Sequence, residues 1–395
     1  MTTEFKSYKS VKDLPKESWD SLVSGDIFLQ TRYLEAASKA LPKTISMCYV
    51  GVFKNNQLVG VAIIQRVQLY LSDMFRHDES TKLKDFVRNL LSKVLKGNIL
   101  VVGNLTHTGQ HGIHFNQNEI SHTQFLSVLF EAVDKLQKEI KLEFNKTIRL
   151  ILFKDYFEKD LIHLEKDIFN THKFQKLLVQ PNMMMNIRNA WLTEQNYVAN
   201  MTTKYRARYK RARKRSEEIV VKELNLTELI KASKTLYSLY KNVSDNAAFN
   251  TFVLPENHFW SLKESLKDDF KVFGYFLDNE LIGFYSLILN NKDLETYFLG
   301  YDSEHQYSNQ LYLNMLYDMA AYAINNRFTT VVYARTAMEI KSSIGAKPET
   351  MFMYLKYTNR LVNAILKQIF RLMNPSQDWE ERHPFKKEEP NKTLV

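Results

Sequence analysis

Phe273-Gly274-Tyr275-Phe276-Leu277-Asp278-Asn279-Glu280-Leu281-Ile282-Gly283-Phe284 carries apolar residues on both sides of an Asp-Asn pair. Such a run, interrupted by two residues that tolerate positive φ, reads as strand, tight turn, strand. The same form lies 223 positions earlier, in Val50-Gly51-Val52-Phe53-Lys54-Asn55-Asn56-Gln57-Leu58-Val59-Gly60-Val61. There Gly51, Phe53, Asn56, Leu58 and Gly60 fall on Gly274, Phe276, Asn279, Leu281 and Gly283. The segments after the two hairpins match as well. A strand ending in glycine comes next, Ile99 to Gly103 in the first half and Thr296 to Gly300 in the second. Helical periodicity then places Phe125, Leu129, Val133 and Leu136 on one stripe of a helix from about Ser121 to Ile140. Leu313, Leu316, Ala320 and Ala323 line the counterpart from about Asn309 to Asn325. Each helix gives way to a β-branched strand, Ile148 to Phe153 and Thr329 to Tyr333. The duplication predicts an α+β fold of two tandem domains, each a mixed, mostly antiparallel sheet flanked by helices.

The first domain is expected over residues 1–190 and the second over 191–357, because Gln180-Pro181-Asn182 breaks the pattern between them. An insertion at 69–96, helical over 80–95, separates the first hairpin from its third strand. Residues 358–374 form an amphipathic helix stopped by Asn374-Pro375, with Leu361, Val362, Ile365, Leu366, Ile369, Phe370 and Leu372 opposite Arg360, Lys367 and Arg371. Packing against the domain body is its expected role, and contact with a membrane surface the alternative. The polar residues 375–395, with Pro384 and Pro390, read as a mobile tail.

A chain of 395 residues, 45% hydrophobic, with 25 Phe and 21 Tyr, holds enough apolar mass for two cores and is not a disordered protein. Cys48 is the only cysteine, which excludes an intrachain disulfide framework and favours a reducing compartment. Its setting, Ser46-Met47-Cys48-Tyr49-Val50, predicts a buried strand residue rather than a nucleophile. With no leader-like start and no apolar run of spanning length, the expected location is the cytoplasm, including the inner membrane face. The formal charge of +10 calls for an anionic partner.

That charge is concentrated. Lys204, Arg206, Arg208, Lys210, Arg211, Arg213, Lys214 and Arg215 occur within twelve residues that contain no acid. On a helix, Tyr205, Tyr209 and Ala212 take one stripe and the cations take the rest. Contact with transfer RNA, a nucleotide-linked precursor or anionic lipid is expected, against the alternative of a solvated helix. His107, His111 and His114 form the only histidine cluster, but no carboxylate lies in their loop. A surface loop is expected, with no metal site.

The segment from Thr203 to Arg213 opens the second half, and Ala334-Arg335-Thr336-Ala337-Met338-Glu339-Ile340-Lys341-Ser342-Ser343-Ile344-Gly345-Ala346-Lys347-Pro348 nearly closes it. Together they resemble the FemAB-like branch of the GNAT (acetyltransferase-like) superfamily, the peptidoglycan-biosynthesis and acetyltransferase-like proteins. The likeness covers about 195–357 directly and the first half through the repeat. It implies transfer of an acyl or aminoacyl group to an amine, including an amine on a cell-envelope precursor. No permanently bound cofactor is implied; acyl-coenzyme A or aminoacyl-tRNA would be the co-substrate. The partner would be a polyanion, whether transfer RNA or a nucleotide-linked or lipid-linked precursor.

Such chemistry needs a deprotonated amine and a stabilised oxyanion. Glu339 could take the proton if burial raised its pKa, or could merely pair with Arg335 four residues earlier. Arg335 could hold a carboxylate or phosphate, and Lys341 could neutralise an oxyanion or phosphate. Tyr297 and Tyr301 could donate to the oxyanion, and Asn309 could bind substrate or cap its helix. Lys204, Arg206, Arg208 and Arg211 are the expected polyanion contacts. One departure matters. Tyr301-Asp302-Ser303-Glu304-His305-Gln306-Tyr307-Ser308-Asn309-Gln310-Leu311 contains no glycine and two acids, where coenzyme A-dependent relatives cradle pyrophosphate. Aminoacyl transfer is therefore preferred over coenzyme A-dependent N-acyl transfer to a small or lipid amine. A binding module that kept the fold without the chemistry is the third reading.

Overall fold

Asn55 and Asn56 take φ of 50° and 66°, and Asp278 and Asn279 take 49° and 65°. Both hairpins therefore close through two left-handed residues, the twist that suits a two-residue connection. The computed structural model describes residues 3–69, 97–246, 252–373 and 379–386; the expected helix at 80–95 lies outside them. The first hairpin is β2 (Ile45–Lys54) and β3 (Gln57–Leu69), flanked by β1 (Thr3–Tyr8) and β4 (Gly97–Val102). A short β5 (Ile113–Phe115) adds to β3, and β6 (Ile148–Phe157) lies parallel to β4. The second half repeats this with β8 (Val220–Glu223), the hairpin β9 (Phe270–Leu277) and β10 (Glu280–Asn290), then β11 (Asp293–Tyr301) and, parallel to it, β12 (Thr330–Val332). The long helices that come after β4 and β11 are His122–Phe144 and Leu311–Asn325. A capping box between Ser121 and Gln124 starts the first of them.

The two final strands cross over. β7 (Gln175–Asn186) ends the first half in sequence yet pairs with β12, and β13 (Lys347–Tyr357) ends the second yet pairs with β6. β7 and β13 also pair with each other, so one continuous sheet runs β1-β2-β3-β4-β6-β13-β7-β12-β11-β10-β9-β8. The order is nearly a palindrome about that central pair. Gln180-Pro181-Asn182, expected to break the pattern, lies inside β7, where the register against β13 shifts between Glu349 and Met351. A proline that cannot donate to the ladder sits comfortably at such an irregularity.

Helices bury both faces of the sheet. Trp19, Phe28 and Tyr33 of the first half share one core with Leu236, Leu239, Phe259 and Leu262 of the second. Opposite faces carry the helix His122–Phe144 in one half and Leu311–Asn325 in the other. The close approach of these helices explains the glycines repeated at Gly60 and Gly283. A Cβ on Gly60 would lie 2.6 Å from the Phe125 ring, and one on Gly283 would lie 2.8 Å from Cε of Met315. Gly60→Ala should cost about 1–3 kcal/mol, because the ring is fixed by stacking on Phe115, whereas Gly283→Ala should cost less, since a methionine tip can move. Urea midpoints of the two variants measure the difference.

The helix Arg360–Met373 packs through Val362 and Leu366 onto β13 and its neighbours, while Leu361 and Ile365 stay exposed. Among the described residues no helix is long and apolar enough to cross a membrane. The tail differs from expectation over 379–386. Phe385 bridges to Met201 and packs against Trp191 and Tyr197, so this stretch is docked by its aromatic residues.

Candidate functional site

Parallel β11 and β12 pair over only three residues, from Asp293 with Thr330 to Glu295 with Val332. Beyond Glu295 the ladder ends, with Thr296 Oγ1 donating to Val332 O across the opening. A cavity of about 300 Å³ lies here, lined by residues of both halves that include Thr106, His107, Lys154, Asp155, Glu295, Tyr297 and Arg335. Glu295 is buried, and burial, with Asp293 and Asp26 adding to it, pushes its pKa up to about 8 against the opposing pull of His111. His111 Nδ1 stands 2.8 Å from Asp26 Oδ2, and its Nε2 stands 3.8 Å from Glu295 Oε1. Burial works against a charge on this imidazole, but the two carboxylates outweigh it and raise its pKa.

On the other side of the cavity the two halves are joined by ions. Lys154 Nζ lies 2.6 Å from Asp155 Oδ2 and donates to His107 O at 3.0 Å. Asp155 Oδ1 accepts from the Arg335 guanidinium of the second half. Burial, then the charge of Arg335, hold the Lys154 ammonium well below its ordinary pKa. The backbone turns left-handed at Asp155 within β6, with φ of 62°, and at Ala334 just before Arg335, with φ of 58°. Two nitrogens in this wall, Nε of Arg335 and Nε2 of His107, are buried without a hydrogen-bond partner. Unpaired buried polar atoms of this kind fit a site that completes its bonding with a ligand.

A second, larger cavity of about 1000 Å³ opens against the basic helix Thr203–Arg215. Lys204, Tyr205, Arg208 and Arg211 line one side, Gln310 another, and Ala337, Met338, Glu339 and Ile340 a third. The helix is held by its buried stripe and by Arg213, which pairs with Glu194 at 2.8 Å and Asp318 at 2.6 Å. Neutralising that one cation in the body leaves the charges of Lys204, Arg208 and Arg211 for the cavity.

The expected site residues thus divide. Arg335 and Tyr297 line the interior cavity; Glu339, Lys204, Arg208 and Arg211 line the outer one. Arg206 is half-buried and is not part of either lining. Arg335 and Glu339 do not pair with each other: Arg335 holds Asp155, and Glu339 holds Arg382. Glu339 is 53% exposed, so the enclosed setting expected of it is absent. Lys341 is buried and donates to Ala334 O at 3.3 Å and Arg335 O at 2.6 Å, fixing the turn between the two cavities. Burial lowers its pKa to about 7. Tyr297 contacts His258 Nε2 through its hydroxyl at 3.0 Å. Tyr301 packs beside Tyr312, away from both cavities. Asn309 does not cap the helix Leu311–Asn325; its amide donates to Arg215 O at 3.1 Å.

The histidine loop is not a surface loop. His107 and His111 are enclosed between the halves, each in contact with Phe28, and the carboxylates beside His111, those of Asp26 and Glu295, come from elsewhere in the chain. Among the described residues no group of three or more His, Cys, Asp or Glu side chains is placed to hold a metal ion. Glu295, Lys154 and Asp155 do not stand out in the sequence. Their signal is faint: a charged residue within or directly after an apolar strand, as in Leu294-Glu295 and Phe153-Lys154-Asp155.

No family model matches this sequence, and no curated protein matches it significantly. Solved structures do match. FemX aligns over 92% of this chain and 100% of its own, with 11% identity and a TM-score of 0.55. A tandem GNAT protein from the clavulanic acid biosynthesis pathway aligns over 91% of this chain and 99% of its own, with 9% identity and a TM-score of 0.51. Both likenesses extend across the two halves and the seam between them, so the chain has the tandem GNAT fold, which it shares with FemX.

Proposed function

We propose that this chain is an acyl- or aminoacyl-transferase that forms an amide on an amine acceptor at the interior cavity, using a polyanionic donor held in the outer one. The observation that carries this reading is the placement of one short segment. Ala334 and Arg335 line the interior cavity, and Ala337 to Ile340 line the outer one. In this reading a donor whose anionic end lies against Lys204, Arg208 and Arg211 presents its carbonyl to Glu295 along that segment. In the reaction the acceptor nitrogen attacks the donor carbonyl carbon, a C–N bond forms, and the C–O or C–S bond of the donor breaks. Glu295, with its pKa pushed up to about 8, takes the ammonium proton, and the second nitrogen proton goes to the departing alkoxide or thiolate; the Arg335 guanidinium faces the charge that develops on the carbonyl oxygen.

Aminoacyl-tRNA is the preferred donor. The stretch before the helix Leu311–Asn325 is itself helical over Ser303–Ser308, and Gln306 Oε1 accepts from Tyr312 N at 3.0 Å. One of the amides that would greet a pyrophosphate is thereby occupied. The family resemblance supports a cell-envelope precursor as the carrier of the amine. The test is transfer from labelled aminoacyl-tRNA, and from acyl-coenzyme A, to a panel of amine acceptors. In parallel, Lys204→Ala/Arg208→Ala/Arg211→Ala should weaken RNA binding and reduce the slope of log K against log salt by about two, three contacts at about 0.7 each. An unchanged slope would remove the outer cavity from the reading.

A further inference from the structure

The outer cavity has a fourth wall that does not belong to the repeated fold. Trp379 and Arg382 line it from the docked stretch 379–386, which crosses the second half close to the basic helix. The docking is specific. Thr202 N donates to Pro384 O at 2.8 Å, Lys386 N to Asn200 O at 3.1 Å, and Arg382 N to Ser342 Oγ at 2.9 Å. Phe385 fills a slot between Trp191, Tyr197 and Met201. The slot needs Gly345: a Cβ there, at φ of 111°, would lie 2.4 Å from the Phe385 ring. Both ends of the contact are thus shaped for each other. Arg382 pairs with Glu339, the one acid of the cavity lining, and on its other side with Glu380 at 2.7 Å, so the Glu339 carboxylate is engaged by a cation beside Lys204, Arg208 and Arg211. Gln310, also in the lining, has a buried side-chain oxygen with no hydrogen-bond partner. An indole, two or more free cations and an unpaired acceptor form the set that recognises a base with its phosphates.

We infer that residues 379–386 are a strap that completes a nucleotide-binding site, with Trp379 stacking on an adenine and Arg382 neutralising Glu339 so that the adjoining phosphates can enter. The inference rests on the polyanionic donor proposed above and specifies its chemistry. Adenosine phosphates occur both in coenzyme A and at the 3′ end of transfer RNA, so the experiment must separate these sources.

Binding to the full-length chain is measured by titration with coenzyme A, with a short RNA hairpin ending in unpaired CCA, and with inorganic triphosphate. Trp379→Ala should weaken whichever adenosine ligand binds by about tenfold, Trp379→Phe should keep most of the affinity, and neither should alter triphosphate binding. Arg382→Ala should weaken the same ligand, and Arg382→Lys should restore it. Phe385→Ala, remote from the cavity, should reproduce the Trp379→Ala loss by undocking the strap. Thermal melts confirm that each variant is folded; the half-buried Trp379 and Arg382 carry the argument if Phe385→Ala is not. Tighter binding of coenzyme A or of the hairpin identifies the source. The inference is overturned if no adenosine ligand binds better than triphosphate, or if Trp379→Ala and Arg382→Ala leave binding unchanged. Adenosine binding that needs Trp379, without transfer in any assay, would sink the transferase reading and leave the strap intact. Transfer whose KM ignores both strap variants would do the reverse.

Discussion

Glu295→Gln should lower the rate of amide formation by about 10²–10⁴-fold, the usual contribution of a positioned base, while donor binding in the outer cavity is retained. The amide keeps the size of the carboxyl and most of its contacts, so the change isolates proton transfer from shape. Its pH signature is as informative as its size. With the pKa of Glu295 pushed up to about 8, the wild-type rate should climb as pH rises and level off above that value; the Gln variant should lose this limb. Stability must move in the opposite sense. The folded pKa lies above the unfolded one, so the contribution of the protonated carboxyl is complete below about 4.3 and is lost as pH rises through about 8. Between pH 6 and pH 9 the melting temperature should therefore fall more in the wild type than in Glu295→Gln. A Gln variant with full activity and an unchanged pH profile would refute the assignment.

How far the sequence announced this site depends on the range of the forces involved. Asn55-Asn56 and Asp278-Asn279 were legible because a two-residue turn is decided by its own φ preferences. The repeat was legible because Gly60 and Gly283 answer the same local demand, a helix crossing close to a strand. The crossing of β7 and β13 was not. Both are strands of ordinary composition, and which neighbour each takes is settled by the assembled sheet, not by either strand. Glu295 was hidden for a related reason. After Leu294 and before Thr296 it reads as the polar face of a half-exposed strand, and only Asp26 and His111, brought from the other half, make that face interior. The histidine loop was visible but misplaced for want of the same information. Glu339 is the converse case: position along the chain suggested chemistry, but the side chain is 53% exposed and is paired with Arg382. In the tail the signal was present and outweighed. Trp379 and Phe385 are too apolar for a stretch with nothing to pack on, although charges and prolines surround them.

Asp155→Asn should destabilise the protein by about 3–5 kcal/mol, the range expected when one partner of a buried ionic group is removed. Asp155 sits on β6 with Lys154 Nζ 2.6 Å from one oxygen and Arg335 on the other, and that second oxygen is its link to the second half. Gly109 N adds a third bond at 3.3 Å. Asparagine accepts the left-handed φ of 62° with little strain and keeps the volume, so neither backbone nor packing accounts for a loss. What changes is charge: Lys154 and Arg335 are left as two cations facing each other without the carboxylate between them. Burial first, and then this repulsion, already lower the pKa of Lys154. The urea midpoint should drop, and replacing a cation as well, in Asp155→Asn/Arg335→Met, should recover part of the loss, since an apolar substitute removes the charge that was stranded. Additive losses in that cycle, or a single loss below about 1 kcal/mol, would show that the seam does not depend on this ion group. The double variant separates the two tasks given to Arg335. If it regains stability but not transfer, the guanidinium is needed at the reacting carbonyl as well as at the seam. If it regains both, Arg335 only holds the halves together, and the oxyanion must be met by another group of the interior cavity.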